Sequence, residues 1–96
     1  MQSAEEIIQK LSLIKSSLQE RYPIKTIALF GSVLRSDFNT QSDIDILVEL
    51  EGRIGSKFIS LSLELEKVLG RKVDLVSKTG IKDKYFHSIK DELMYV

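Results

Sequence analysis

The stretch that most constrains this chain runs from Ile27 to Glu49, IALFGSVLRSDFNTQSDIDILVE. Two apolar runs are joined there by a tight Gly-Ser turn and a polar connection, and two aspartates open the second run. Short apolar runs bounded by turn residues read as strands. Residues 25–30, KTIALF, are nearly all apolar, as in a strand covered on both faces. Residues 43–50, DIDILVEL, alternate instead. Side chains alternate across a strand, so Asp43, Asp45, Leu47 and Glu49 share one face, and Ile44, Ile46, Val48 and Leu50 share the other. The second set belongs to a core. The first places two carboxylates side by side at the start of the strand.

The flanking sequence supplies helices and a third strand. Ser3 is a suitable N-cap, Glu5 and Glu6 fall in a first turn, and Ile7, Leu11, Ile14 and Leu18 recur at helical spacing, with Ile8 widening the stripe. These features predict a helix over 4–21, closed by Pro23. Residues 33–36 have room only for a helical turn, and 37–42, DFNTQS, are loop-like. After Gly52 and Gly55 a second helix is expected over 56–69, with Gly70 as its C-cap. Its apolar stripe is Phe58, Leu61, Leu65, Val68 and Leu69. Ile59 and Leu63 lie roughly 100° or more from that stripe. They are either covered by the domain's own sheet, the reading favoured here, or exposed as a partner patch. Residues 71–76, RKVDLV, read as a third strand, with Asp74 opposite in direction to Val73 and Leu75. A last helix is expected over 82–91 and a short strand over 93–96. Ninety-six residues with no linker or repeat predict one domain, a small α/β or α+β fold with helices packed on a mixed sheet.

Three carboxylates and one turn carry the chemistry. Gly31 at the end of a buried strand lets backbone N–H groups approach an anion, and the Ser32 hydroxyl adds a donor; the same pair also serves as a plain turn. Asp43 and Asp45 repel each other at i, i+2 and need a cation or solvent to compensate. Hard divalent cations favour such oxygens, and magnesium combines one or two carboxylates with substrate phosphates. Should the strands pair so that Asp74 lies near Asp45, three carboxylates converge as in a two-metal phosphoryl-transfer site, with Asp74 placed to help deprotonate an attacking hydroxyl. Otherwise Asp74 lies on the exposed face of an edge strand. Arg35 pairs with a phosphate or with Asp37. Lys57, Lys72, Lys78 and His87 read as solvated surface, and Tyr85 and Tyr95 as packing residues.

Together these residues resemble the nucleotidyltransferase superfamily of DNA polymerase beta, whose signature is a Gly-Ser turn, an Asp-X-Asp strand and a later Asp. The finer resemblance is to the minimal nucleotidyltransferases of bacteria and archaea, through Gly31-Ser32-Val33-Leu34-Arg35-Ser36-Asp37, Ser42-Asp43-Ile44-Asp45-Ile46-Leu47-Val48 and Gly70-Arg71-Lys72-Val73-Asp74-Leu75-Val76. Two positions depart from the family pattern: Val33, often basic, and Ser36, often Gly. The resemblance implies that Asp43, Asp45 and Asp74 hold Mg2+, as two ions, and that Gly31, Ser32 and Arg35 contact the nucleotide. It also implies transfer of AMP from ATP to a protein hydroxyl. Such minimal proteins resemble antitoxins paired with a helical HEPN-domain toxin, silenced by AMP on a tyrosine, which implies a hetero-oligomer.

Composition narrows the alternatives. Fourteen basic residues balance fourteen acidic ones, so no long nucleic-acid surface is expected. The chain has no cysteine, which excludes disulfides and thiolate zinc sites and suits the cytoplasm, and one histidine, which excludes a multi-histidine metal site. No apolar run approaches the ~20 residues of a membrane span. The first ten residues, MQSAEEIIQK, lack the basic region of a signal peptide. A chain this short leaves the acceptor to be presented by a partner, or to be small. Two other readings stay open: a module that neutralises a toxin by contact alone, through Ile59, Leu63 or the C-terminal segment, and a transferase acting on a small molecule.

Overall fold

The computed structural model describes residues 3–35 and 42–96. Ser36 and Asp37, and with them most of the expected loop over 37–42, lie outside the described residues. Helix α1, Ala4–Arg21, begins where Ser3 Oγ accepts the Glu6 N–H at 3.2 Å. It ends at Tyr22, whose N–H reaches Leu18 O, just before Pro23. Strand β1, Ile24–Phe30, runs into a 3-10 turn, Gly31–Leu34. Strand β2 spans Ile44–Leu50, so Asp43 sits one residue before it rather than inside it. Helix α2, Lys57–Leu69, stops at Gly70, which takes a left-handed φ of 67° as an αL cap. Strand β3 spans Val73–Ser77, two residues later in starting than expected. Helix α3, Asp83–Ile89, is shorter than its expected span, and strand β4 is Met94–Tyr95.

The strands form a mixed sheet in the order β3-β2-β1-β4. β1 pairs antiparallel with β2 and β4, while β2 and β3 are parallel, joined by the α2 crossover. A bulge at the start of β1, where Ile24 faces Leu50 and Thr26 faces Glu49, lets Ile24 join Ile27 and Leu29 on one face despite their odd spacing.

That face is the main core. Ile7, Leu11 and Leu18 of α1 and Leu61, Leu65 and Leu69 of α2 pack on Ile27, Leu29, Ile44, Ile46, Val48 and Val73, as the predicted alternation requires. The opposite face carries a smaller cluster, Phe30, Leu47 and Ile89, with Val76, Ile81, Phe86 and Leu93 around it. Here α3 leans on the sheet. Ile59 and Leu63 correct the favoured expectation: they are 64% and 59% exposed. α2 turns its Leu61-Leu65-Leu69 stripe inward, and no element of the domain reaches round to its outer side among the described residues. Tyr85 and Tyr95, at 49% and 57% exposed, are also less packed than expected, although Tyr85 sets its ring edge-on to Phe30, centroids 6.4 Å apart. Lys57, Lys72, Lys78 and His87 are all exposed, as read.

Candidate active site

Three junctions of the fold meet at one end of the sheet: the end of β1 and the beginnings of β2 and β3. In the parallel β2–β3 pair Asp45 stands opposite Asp74, and across the antiparallel pair Asp45 stands opposite Phe30, the residue before Gly31. Asp45 shares the sheet face of Leu47, and Asp74 that of Val76, because Val73 and Leu75 turn to the α1/α2 core. The condition set by the sequence is met: the second and third strands bring their carboxylates together.

The contact has an electrostatic cost. The Asp45 carboxyl is pushed up to about 6. Burial is the largest cause, followed by the charges of Asp74 and Asp43 and a hydrogen bond shared with Asp74 that favours a protonated Asp45. The Arg35 guanidinium opposes the rise. Asp43 is therefore close enough to be felt at Asp45, although among the described residues no three acidic or histidine side chains are drawn up as a ready-made cation cage.

Gly31 has a reason to be glycine beyond its turn. Its φ is +78°, and a Cβ there would lie 3.1 Å from Asp45 Cγ and in hard overlap with Oδ2. The Gly-Ser turn is thus pressed against the carboxylate of the Asp-X-Asp strand. Ser32 follows on the 3-10 turn, its carbonyl accepting the Arg35 N–H at 2.9 Å, and Val33 is buried.

A family profile described as "Nucleotidyltransferase domain" matches residues 11–96. The chain belongs to the nucleotidyltransferase domain family. Family members use a nucleoside triphosphate and a divalent metal. A relative in Thermococcus cleftensis, named protein adenylyltransferase MntA, is 41% identical over 98 residues, covering 100% of this chain and 98% of that one. A solved structure of a candidate minimal nucleotidyltransferase aligns over 97% of this chain and 95% of its own, at 30% identity and a TM-score of 0.81. The fold is also that of an MNT antitoxin solved in complex with a tri-AMPylated HEPN toxin of Shewanella oneidensis. That match covers 93% of this chain and 70% of that one, at 23% identity and a TM-score of 0.69.

For a nucleotidyltransferase the arrangement has clear chemical uses. The carboxylates cluster on the sheet face away from the large core, open to a substrate; Asp74 and Asp43 are exposed and Asp45 is half-buried. Arg35 is exposed beside them, and its charge acts on Asp45; its other expected partner, Asp37, lies outside the described residues. Two supporting residues escaped the sequence reading. Glu66 Oε2, on α2, accepts the Val73 N–H at 3.0 Å and so ties the first residue of β3 to the helix before it. Arg71 donates from Nη2 to the Ser42 carbonyl, immediately ahead of Asp43. Neither signal stands out in a sequence, because surface Glu and Arg have many ordinary uses.

Proposed function

We propose that this enzyme transfers AMP from ATP to a tyrosine hydroxyl of a HEPN-domain toxin and thereby acts as its antitoxin. The observation that carries the reading is the packing of Gly31 against Asp45 with Asp45 opposite Asp74. The name of the Thermococcus relative and the composition of the Shewanella complex support the choice of acceptor.

The donor set fits Mg2+. It consists of hard carboxylate oxygens, and the raised Asp45 carboxyl marks a surplus of negative charge that a divalent cation would relieve. Asp43, Asp45 and Asp74 would hold the metal, as two ions in this reading. Bound there, it supplies neutralisation of the triphosphate and a lowered pKa for the acceptor hydroxyl. The protein's own groups do the rest. Gly31 and Ser32 hold the phosphates through backbone N–H groups and the Ser32 hydroxyl, and Arg35 adds a positive charge beside them. The acceptor oxygen bonds to the α-phosphorus as the bond to the bridging α–β oxygen breaks and pyrophosphate leaves. Asp74, exposed and on the neighbouring strand, takes the hydroxyl proton on a carboxylate oxygen.

The exposure of Ile59 and Leu63 favours a second reading, in which the chain silences its partner by contact alone. One experiment separates the two. The purified chain is incubated with Mg2+, α-labelled ATP and the HEPN-domain protein of its own source, beside an Asp43→Asn, Asp45→Asn variant. Label on the toxin with the intact chain only, mapped to a tyrosine, is the expected result. A stable complex with no label from any nucleoside triphosphate would sink the transferase reading.

A further inference from the structure

We propose that Arg71 is a positioning residue for the catalytic carboxylates: its guanidinium clamps the backbone at Ser42 and thereby sets where Asp43 and Asp45 stand relative to Asp74. The inference rests on the transferase reading for its consequence in catalysis, although not for the geometry itself.

The argument starts from what each end of β2 has to hold it. At its far end β2 is fixed by the continuing pairing to β3, where the Lys78 N–H reaches Val48 O at 2.9 Å, and by the Pro23 carbonyl, which accepts the Glu51 N–H at 2.8 Å. At the site end the β1 partner stops at Phe30, opposite Asp45, because the chain turns away at Gly31. Residues 42 and 43 therefore have no antiparallel neighbour on β1. Among the described residues, two bonds from the segment just before β3 join this end to the sheet. The Ile44 N–H reaches Lys72 O at 2.9 Å, and Arg71 donates to Ser42 O.

The first of these bonds belongs to the last strand pair, Ile44 opposite Val73, and the second, side chain to backbone, adds one anchor beyond the end of the parallel ladder. The extension matters because Asp43 lies between the two anchored residues. Its Cα direction is set by Ser42 on one side and Ile44 on the other. A charged donor suits the task. A guanidinium–carbonyl bond is stronger than a neutral one, and the fork is rigid. Displacing a reacting group by ~1 Å can cost about 100-fold in rate, so an anchor this close to Asp43 is felt in turnover.

The test compares wild type with Arg71→Met, which removes the donors and keeps the stem, and Arg71→Lys, which keeps a positive donor. Two readouts are taken: steady-state AMP transfer to the HEPN-domain protein, and amide hydrogen exchange of Ile44 in the free chain, with the Tyr22 and Val96 amides as distant controls. Positioning predicts that Arg71→Met lowers kcat by roughly 10- to 100-fold, in the range of outer residues that orient metal ligands. KM for ATP should change less than about twofold, since nucleotide contacts are untouched. Ile44 should exchange about tenfold faster while the controls hold. Arg71→Lys should recover most of both.

A raised KM with kcat preserved would show that the guanidinium binds nucleotide instead, and would overturn the proposal. Faster exchange at all three amides would reduce Arg71 to a general stabiliser, and unchanged Ile44 exchange would remove the clamp altogether. Were the wild type to transfer nothing, the transferase reading would fall, and Ile44 exchange alone would decide whether Arg71 fixes this end of β2.

Discussion

The two faces of the sheet are built from the same strands and could hardly differ more. Toward α1 and α2 the sheet presents Ile27, Leu29, Ile44, Ile46, Val48 and Val73, all buried and all aliphatic. Toward α3 it presents Phe30 and Leu47 beside Asp45 and Asp74. One face therefore contributes stability, and the other spends part of it on three like charges. The lesson is about alternation. A strand with period two can serve a core and a site at once, provided that the site's charges need only one end of one face.

The largest expected effect lies on the charged face. Asp45→Asn removes the central carboxylate, and AMP transfer should fall about 10³-fold or more, equivalent to ~4 kcal/mol of barrier. The same change should leave the metal-free protein at least as stable at neutral pH, because the group it removes is crowded by Asp74 and Asp43. Thermal unfolding without added metal, beside a transfer assay, checks both halves. A variant that loses activity and also unfolds would mean that Asp45 is structural.

The matching change on the aliphatic face runs the other way. Leu65 is fully buried between α2 and the sheet. Leu65→Ala should cost about 2–5 kcal/mol in urea unfolding, while molecules that remain folded keep their turnover. Gly31→Ala falls between the two faces. Its positive φ disfavours any Cβ by about 1–2 kcal/mol, and the added methyl meets the Asp45 carboxylate. Stability and activity should therefore drop together, and an Asp45→Asn, Gly31→Ala double variant should not lose more activity than Asp45→Asn alone.

Most of this division could be read from the chain before any coordinates. The DIDILVEL alternation assigns Ile44, Ile46 and Val48 to one side and Asp45 to the other, and the structure agrees because burial of the aliphatic set leaves no other register. Ser3, Pro23 and Gly70 marked helix ends through local chemistry, so those boundaries held. Non-local facts were out of reach. Nothing in the string says that Asp45 and Asp74 share a register in a parallel pair, that a Gly31 side chain would strike Asp45, or that Arg71 reaches back to Ser42. Ile59 and Leu63 were misjudged for the same reason: helical spacing shows that two apolar stripes exist, but which of them the sheet covers depends on how α2 is seated. Leu61, Leu65 and Leu69 won that seat.

The finest distinction between the faces is their opposite response to pH. Asp45 has its folded-state value raised to about 6 from an ordinary 3.8. Between those values the folded state holds more protons than the unfolded one, so stability falls as pH rises through the window, and the penalty is complete above it. Glu64, on α2 where it meets the end of α1, behaves in reverse. Arg21 Nη1 donates to its Oε2 at 2.8 Å and Tyr22 OH at 3.2 Å, and the hydrogen bond from Arg21, outweighing some burial, holds its carboxyl below the ordinary range. Its contribution is present above an unfolded value of 4.5 and is lost as pH falls through the lowered folded value. The pair is partly exposed, so the effect should be small. Measured without metal, the Tm difference between Asp45→Asn and wild type should be near zero below pH 4 and positive above pH 6. The difference for Glu64→Gln should also vanish in acid and turn slightly negative above its ordinary range. Two curves of the same sign would mean that the carboxylate crowding at Asp45 is already relieved within the folded chain, and that the charged face costs the protein nothing.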